Sequence, residues 1–444
     1  MSFFKKVFLN QAGKDEGAGS SAQNVAVGRY SGVNKSSVQL SCWTRAQDFY
    51  LQKKYIDSFE ILLQYMNDPD TNNIKVRRNG NELEFDLVQG SKIIRGRADM
   101  NTFSAQSRIA RFDRLSVAFL RKLINMNFIL QYSRFAIKDD IIFLKTDSKT
   151  IDASPNKIYY SLRELALKSD KMDDMLVGEF DSLHAVDREH ILDLSETVKE
   201  IKYKYLQLWI SETLDKIAGM DEAALSGGIS YMLLGLLFRI DYLLLPQGNF
   251  FNDIDKINAI YNAKDNKSTL EKNRLMMDEF RALQCKEKEY FFRCLYDAKN
   301  TFGYVPATTH QQFYEFILNE FKNTKWYYDN RHDHIVTAIY EWMIGYSLFY
   351  YGLFPASSEY LKIAYMVLQP GFFSEMGAAR CLYDTSNNTF NKALIEKEIE
   401  TVTARYINEY PKLAIITANI NYTSLNEFLY TYLNELTYLN YSKV

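Results

Sequence analysis

Side chains able to do chemistry gather in three places. Arg331-His332-Asp333-His334, beside Trp326-Tyr327-Tyr328, is the densest set of imidazole and carboxylate groups, the ligand types of a zinc or iron site, with His310 as a third nitrogen. The same residues stand just before an apolar helix, where Asp333 serves as a cap and the histidines as loop residues. Histidines two apart on a helix point to different sides, so neither a metal nor a cofactor is expected. His184, Asp187, Glu189 and His190 form a second set, in a polar stretch that reads as a linker between two halves. Third, Tyr340, Trp342, Tyr346, Phe349, Tyr350, Tyr351 and Phe354 surround one helix on most of its faces, the pattern of a buried helix. A pocket lined by Trp326, His332, His334, Tyr346 and Tyr350 is the chemical alternative, because a buried Tyr hydroxyl must find a partner. No GxSxG, P-loop, GxGxxG after a strand, HExxH or Cys-His pattern occurs. The expectation is a non-catalytic protein, with an enzyme or small-ligand sensor near His332 and His334 as the competing reading.

These groups need a scaffold, and 444 residues are enough for two domains. With 47% apolar and 24% charged residues the chain reads as globular, and 19 Gly and 7 Pro against 32 Tyr and 29 Phe favour helices with thick interfaces. A net charge of −2 gives no global affinity for nucleic acid. Locally, Arg77-Arg78, Arg95, Arg97, Arg108, Arg111, Arg114 and Arg121-Lys122 interleave with Phe103, Phe112 and Phe119. Pairing with the acidic strand around Glu82, Glu84 and Asp86 explains these arginines without a nucleic-acid partner. Cys42, Cys285, Cys294 and Cys381 show neither metal nor disulfide spacing, which suits a reducing, cytoplasmic setting. Ile229–Leu245 is nearly long enough to span a membrane, but Arg239 and Asp241 interrupt it, so a buried helix is expected.

Residues 1–30 read as a flexible tail whose Phe3, Phe4 and Phe8, rimmed by Lys5 and Lys6, suit a docking peptide or a peripheral membrane contact. From Val38 to Asp68, Trp43, Ala46, Phe49, Tyr55, Ser58, Phe59 and Leu62 predict two helices joined near Gln52–Lys54. Their order resembles one tetratricopeptide-type hairpin, and a single repeat must dock on a neighbouring sheet. Strands follow: Asn79-Gly80 marks a hairpin turn, Leu83, Phe85 and Leu87 alternate with acids, Gln89-Gly90-Ser91 turns again, and Gly96 marks a bulge. Ile109 and Phe112 suggest a further extended piece. Between Arg111 and Lys145 the period changes twice. Leu115, Phe119, Leu123 and Met126 make a helical stripe capped by Ser116. Phe128 and Leu130, Phe135 and Ile137, then Ile141 and Phe143 are expected on one face of strands turning at Lys138-Asp139-Asp140. Ser154-Pro155 opens a helix through Leu162, Leu165 and Leu176 to about Leu183.

This order resembles the type III secretion chaperone-like fold, particularly its YbjN-type bacterial relatives. Gly96-Arg97-Ala98-Asp99, Ile109 to Leu123, Asn127, Ser133 to Ile137, Asp140, and Leu165-Ala166 with Asp170 carry the resemblance, over the first 180 residues or so. It implies a compact α+β module, frequently dimeric, that binds other polypeptides through an apolar surface and has no catalytic centre. Residues 31–185 are therefore expected to form that α+β domain, and 190–444 an irregular all-α domain. The helices are expected at 190–218, 222–245, 251–263, 268–301, 308–323, 333–353, 357–368, 389–418 and 423–441, with Pro411 ending or kinking its helix. The expected function is a polypeptide-binding, chaperone-like or adaptor role, with a protein, peptide or second copy as partner. Candidate contacts are Phe3, Phe4 and Phe8, Trp43 and Tyr55, and Arg95 and Arg97.

Overall fold

The computed structural model describes residues 25–378 and 381–443; Phe3, Phe4 and Phe8 lie outside the described residues. An antiparallel sheet with flanking helices occupies the first part of the chain, and helices dominate the second. The sheet half opens with α1 (Ser37–Leu51), begun by a Ser36/Gln39 capping box, and α2 (Tyr55–Met66). Ser58 Oγ donates to the Ala46 carbonyl at 2.7 Å and ties the two helices together. The strands are β1 (Ile74–Asn79), β2 (Glu82–Gln89), β3 (Lys92–Ala98) and β4 (Thr102–Phe112). After α3 (Val117–Asn127) come β5 (Arg134–Lys138) and β6 (Ile141–Lys149), then the long helix α4 (Pro155–Glu179) and β7 (Leu183–Ala185). The sheet order is β1-β2-β3-β4-β6-β5, with β7 paired to the end of β4. Leu83, Phe85, Leu87, Ile94, Phe103, Ile142 and Leu144 share one buried core with Phe59 and Leu62 of α2 and Ile158, Leu162 and Leu165 of α4.

Several local expectations shift by a residue or a face. The first hairpin loop is Gly80-Asn81, since Asn79 pairs with Glu82, and Gly80 has φ +56. Gly96 makes no bulge. It stays in register opposite Phe85, whose ring lies where a Cβ would sit, 2.0 Å away, and the register shift falls at Arg108/Ala110 instead. Phe128 and Leu130 are not strand residues: the N–H groups of 128–130 turn back to the carbonyls of Asn125, Met126 and Asn127. Glu164 then accepts from the N–H groups of Gln131, Tyr132 and Ser133 at 2.7–2.9 Å, which delays the strand to Arg134. The two-residue Asp139-Asp140 turn sets Ile137 opposite Ile142 and Phe135 opposite Leu144. Ile142 and Leu144, rather than Ile141 and Phe143, therefore share their face. The α4 helix stops at Glu179 because Leu183 leaves to pair with Phe112.

In the helical half, β8 (Leu192–Asp193) precedes α5 (Glu196–Ala218), α6 (Ser226–Arg239), α7 (Gly248–Asn262), α8 (Thr269–Gln284) and α9 (Lys288–Arg293). A π turn at Ile240–Leu244 continues α6. This is the one described helix long and apolar enough to cross a membrane, and 83% of its apolar window is buried inside the molecule. The helix expected over 268–301 breaks at Cys285 and ends at Arg293, which frees β9 (Tyr296–Asp297) to pair with β8. After α10 (His310–Asp329), α11 (Asp333–Tyr350) packs along α6, and α12 (Pro355–Leu368) and α13 (Pro370–Glu375) follow. The small hairpin of β10 (Tyr383–Asp384) and β11 (Thr389–Phe390) displaces the start of the helix expected at 389. The helix itself, α14 (Lys392–Tyr406), ends well before Pro411, and α15 (Leu425–Thr437) is the last described helix.

Each half holds a piece of the other. Residues 25–30, expected to belong to a free tail, lie pinned along the helical half. Val25 is buried in its core with its carbonyl taken by Lys362 at 2.9 Å, Gly28 N–H donates to Tyr242 O, and Arg29 pairs with Asp241 at 2.7 Å. In return, Phe302 inserts into the core of the sheet half, and Gln89 accepts from the N–H groups of Thr301 and Phe302 at 3.1 and 2.9 Å. Strap and loop cross at Gly303, where a Cβ would lie 1.5 Å from the Ser31 carbonyl oxygen.

Candidate functional site

Where the halves meet, α4 carries Asp170, Asp173 and Asp174 at the i, i+3, i+4 spacing that puts them on one face. That face meets the β2–β3 turn. Gly90, with φ +53, brings its backbone so close that a Cβ would lie 2.0 Å from Asp170 Oδ1. Ser91 N–H donates to Asp170 at 2.7 Å, and the Ser91 hydroxyl donates to Asp173 at 2.9 Å. Lys92, fully buried, pairs with Asp173 at 2.8 Å and donates to the carbonyls of Ile109 and Val186. From the helical half Tyr304 donates to Asp170 at 3.2 Å, and from the linker Arg188 reaches Asp174 at 3.3 Å.

Burial, helped by the nearby Asp173 charge, pushes the Asp170 carboxyl up to about 6. The same two causes raise Asp174 to about 7, with Arg188 pulling the other way. Both carboxyls line a cleft of about 1020 Å³, walled by the strap at Arg29 and Tyr30, the turn at Asn72-Asn73, Phe251 of α7 and the loop from Asp297 to Tyr304. His190 also lines it. Its Nε2 donates to the Gly90 carbonyl at 3.0 Å, and among the described residues its Nδ1 is buried without a partner.

The linker set does not converge. His184 contacts Asp113 at 2.6 Å, Asp187 takes Arg95 at 2.7 Å and Arg108 at 3.0 Å, Glu189 faces the cleft, and His190 binds Gly90. The Trp326–Tyr350 set separates too. Trp326 stacks on His332 with centroids 5.7 Å apart, whereas Tyr346 and Tyr350 sit three to four turns further along α11, about 18 and 24 Å from His334. Tyr350 exchanges hydrogen bonds with the Asn258 amide, so its hydroxyl is satisfied within the protein. His310 starts α10 and His332 follows its far end, a separation of about 30 Å. Among the described residues no three His, Cys, Asp or Glu side chains are placed to hold a metal.

Arg97 pairs with Glu82, and Arg77 with Glu84 and Asp86, on the open sheet face. Phe103, Phe112 and Phe119 are buried, so they offer no stacking platform to a base. Trp43 packs against Tyr65 and Tyr159, and Tyr55 against Tyr50. The helical spacing of Asp170, Asp173 and Asp174 can be read from the sequence, but it does not mark the face as a site, because the groups it meets, Ser91 and Tyr304, lie far off along the chain.

A second surface lies at the other end of the sheet. Phe119, Leu123 and Met126 turn α3 inward, while Val117, Ile124 and Phe128 occupy the opposite side and are 66%, 59% and 85% exposed. Leu115, Ile129, Tyr132 and Ile137 of neighbouring segments are exposed as well. No protein-family model matches this chain, and neither does any curated protein.

Proposed function

We propose that this chain is a non-catalytic polypeptide-binding protein, chaperone-like or adaptor-like, whose sheet half is of the secretion-chaperone type and whose α3 surface is the contact. The carrying observation is that α3 has two apolar faces and only one of them is used internally. Val117, Ile124 and Phe128 recur at the spacing by which one helix meets an apolar groove or a second amphipathic helix. Arg114 and Arg121 flank the stripe and form no ion pair among the described residues, so the fitting occupant is an amphipathic or unfolded segment with acidic flanks.

The test is suppression of aggregation of a reduced, unfolding client followed by light scattering, with dye binding as an independent readout. The full chain is expected to slow aggregation, and the Ile124→Asp, Phe128→Asp double variant to lose that effect while melting within a degree or two of the parent, since both side chains already face water. A parent protein without effect, or a variant that works as well, removes this proposal.

A further inference from the structure

We propose that the cleft between the two halves binds a cationic nitrogen group, an ammonium or guanidinium, brought either by a free polyamine or by a basic side chain of a peptide. The argument rests on which polar atoms of the wall are already used. The cations that line it are engaged: Arg29 with Asp241 and the Pro246 carbonyl, Arg95 with Asp187, Lys171 with Asp255, Lys299 with the Thr71 carbonyl, and Lys75 in a contact of its own. The unused capacity is on the acceptor side. Asp170 receives hydroxyl and amide donors but no cation, and Glu189 and Asp297 form no ion pair among the described residues. His190 keeps a buried Nδ1 without a partner among the described residues. Behind the wall, buried Asp173 is paired with Lys92 and adds its negative charge next to Asp170 and Asp174. Buried acceptors left empty cost stability until a donor arrives, and a charged donor satisfies carboxylates best.

The fold already uses this chemistry one step away. The Arg29 guanidinium lies 4.3 Å over the Phe251 ring while bonding the buried Asp241 carboxylate. Phe251 and Tyr304, with centroids 6.0 Å apart, line the cleft, so a second cation would meet aromatic carbon on one side and carboxylate on the other. A volume of about 1020 Å³ admits an extended polyamine or an arginine side chain with its flanking peptide.

Isothermal titration of the full chain with spermidine, and separately with a blocked Gly-Arg-Gly peptide, tests the proposal, with sorbitol and citrate as neutral and anionic controls. Saturable one-site binding of spermidine or the peptide is expected, together with a rise in melting temperature, and neither control should bind. Tighter binding of spermidine assigns the site to free polyamines; tighter binding of the peptide assigns it to basic side chains. Glu189→Gln with Asp297→Asn changes two exposed, unpaired groups, so the variant should fold normally and weaken the interaction about tenfold or more. Unchanged affinity in that variant, binding of sorbitol or citrate instead, or no heat from either cation would overturn the assignment. The α3 surface is remote from this cleft, so the outcome is independent of the polypeptide-binding reading.

Discussion

Lys92 and Asp173 show at the scale of single residues how the joint is balanced. Both are buried, so the ion pair is held by context rather than by a large net gain. Lys92→Met alone is expected to cost about 3–5 kcal/mol in chemical denaturation, because it strands a buried carboxylate. Adding Asp173→Leu should recover most of that loss; a double variant no better than the single would show the pair to be worth more than its desolvation. The neighbouring acids give a pH dependence. Asp170 and Asp174 have folded-state values of about 6 and about 7, above an ordinary carboxyl, so folding favours their protonated forms. The sign is that stability from these groups is greatest at low pH and falls as pH rises from ~4 through 7. Ser91 and Tyr304 at Asp170, and Arg188 and Lys92 at Asp174, favour the charged forms and limit the slope. The melting temperature should be higher at pH 5.5 than at pH 8, and Asp174→Asn should flatten that difference. Caps such as Ser116 and Ser154 were legible in the sequence because their acceptors lie two or three residues away. The acid cluster was not, because its meaning depends on Ser91 and Tyr304, far off along the chain.

Elements were readable where one face decides. The strand of Leu83, Phe85 and Leu87 and the stripe of Phe119, Leu123 and Met126 came out as their periods require, since a single buried face fixes the phase. Faces failed where a turn sets them: the Asp139-Asp140 loop fixes which side Ile142 takes, and apolar residues on both sides of β6 hide that choice. Helix ends failed where pairing overrode propensity, as at Arg293, where β9 must reach β8. Glycines separate two kinds of constraint. Gly96→Val should destabilise by roughly 1–3 kcal/mol or more, because the Phe85 ring occupies the space and must be displaced. Gly80→Ala meets nothing within 4 Å and should lose only about 1 kcal/mol to its positive φ. Equal losses in thermal unfolding would mean that Phe85 moves aside freely.

Across the whole molecule the two halves are interlocked rather than strung together. Composition showed a change from strands to helices, but the strap at 25–35 has no periodicity and its partners lie hundreds of residues away, so nothing local announced it. Arg29→Ala removes the contacts to Asp241 and Pro246, and Gly303→Ala forces Ser31 off the loop it crosses. Both variants should be cut faster by trypsin at Lys35 than the parent, with the sheet half otherwise intact. Equal cleavage rates would mean that the crossing does not hold the strap.

The interlock also constrains the order of manufacture. The strap residue Val25 meets Lys362 only after 337 further residues have been made, and the sheet core stays short of Phe302 for most of that interval. At ribosomal speeds of about 5–20 residues per second the strap waits roughly 20–70 s for its seat. The sheet half therefore spends its early life with a core gap and an unseated strap, and the final assembly step belongs to the whole chain.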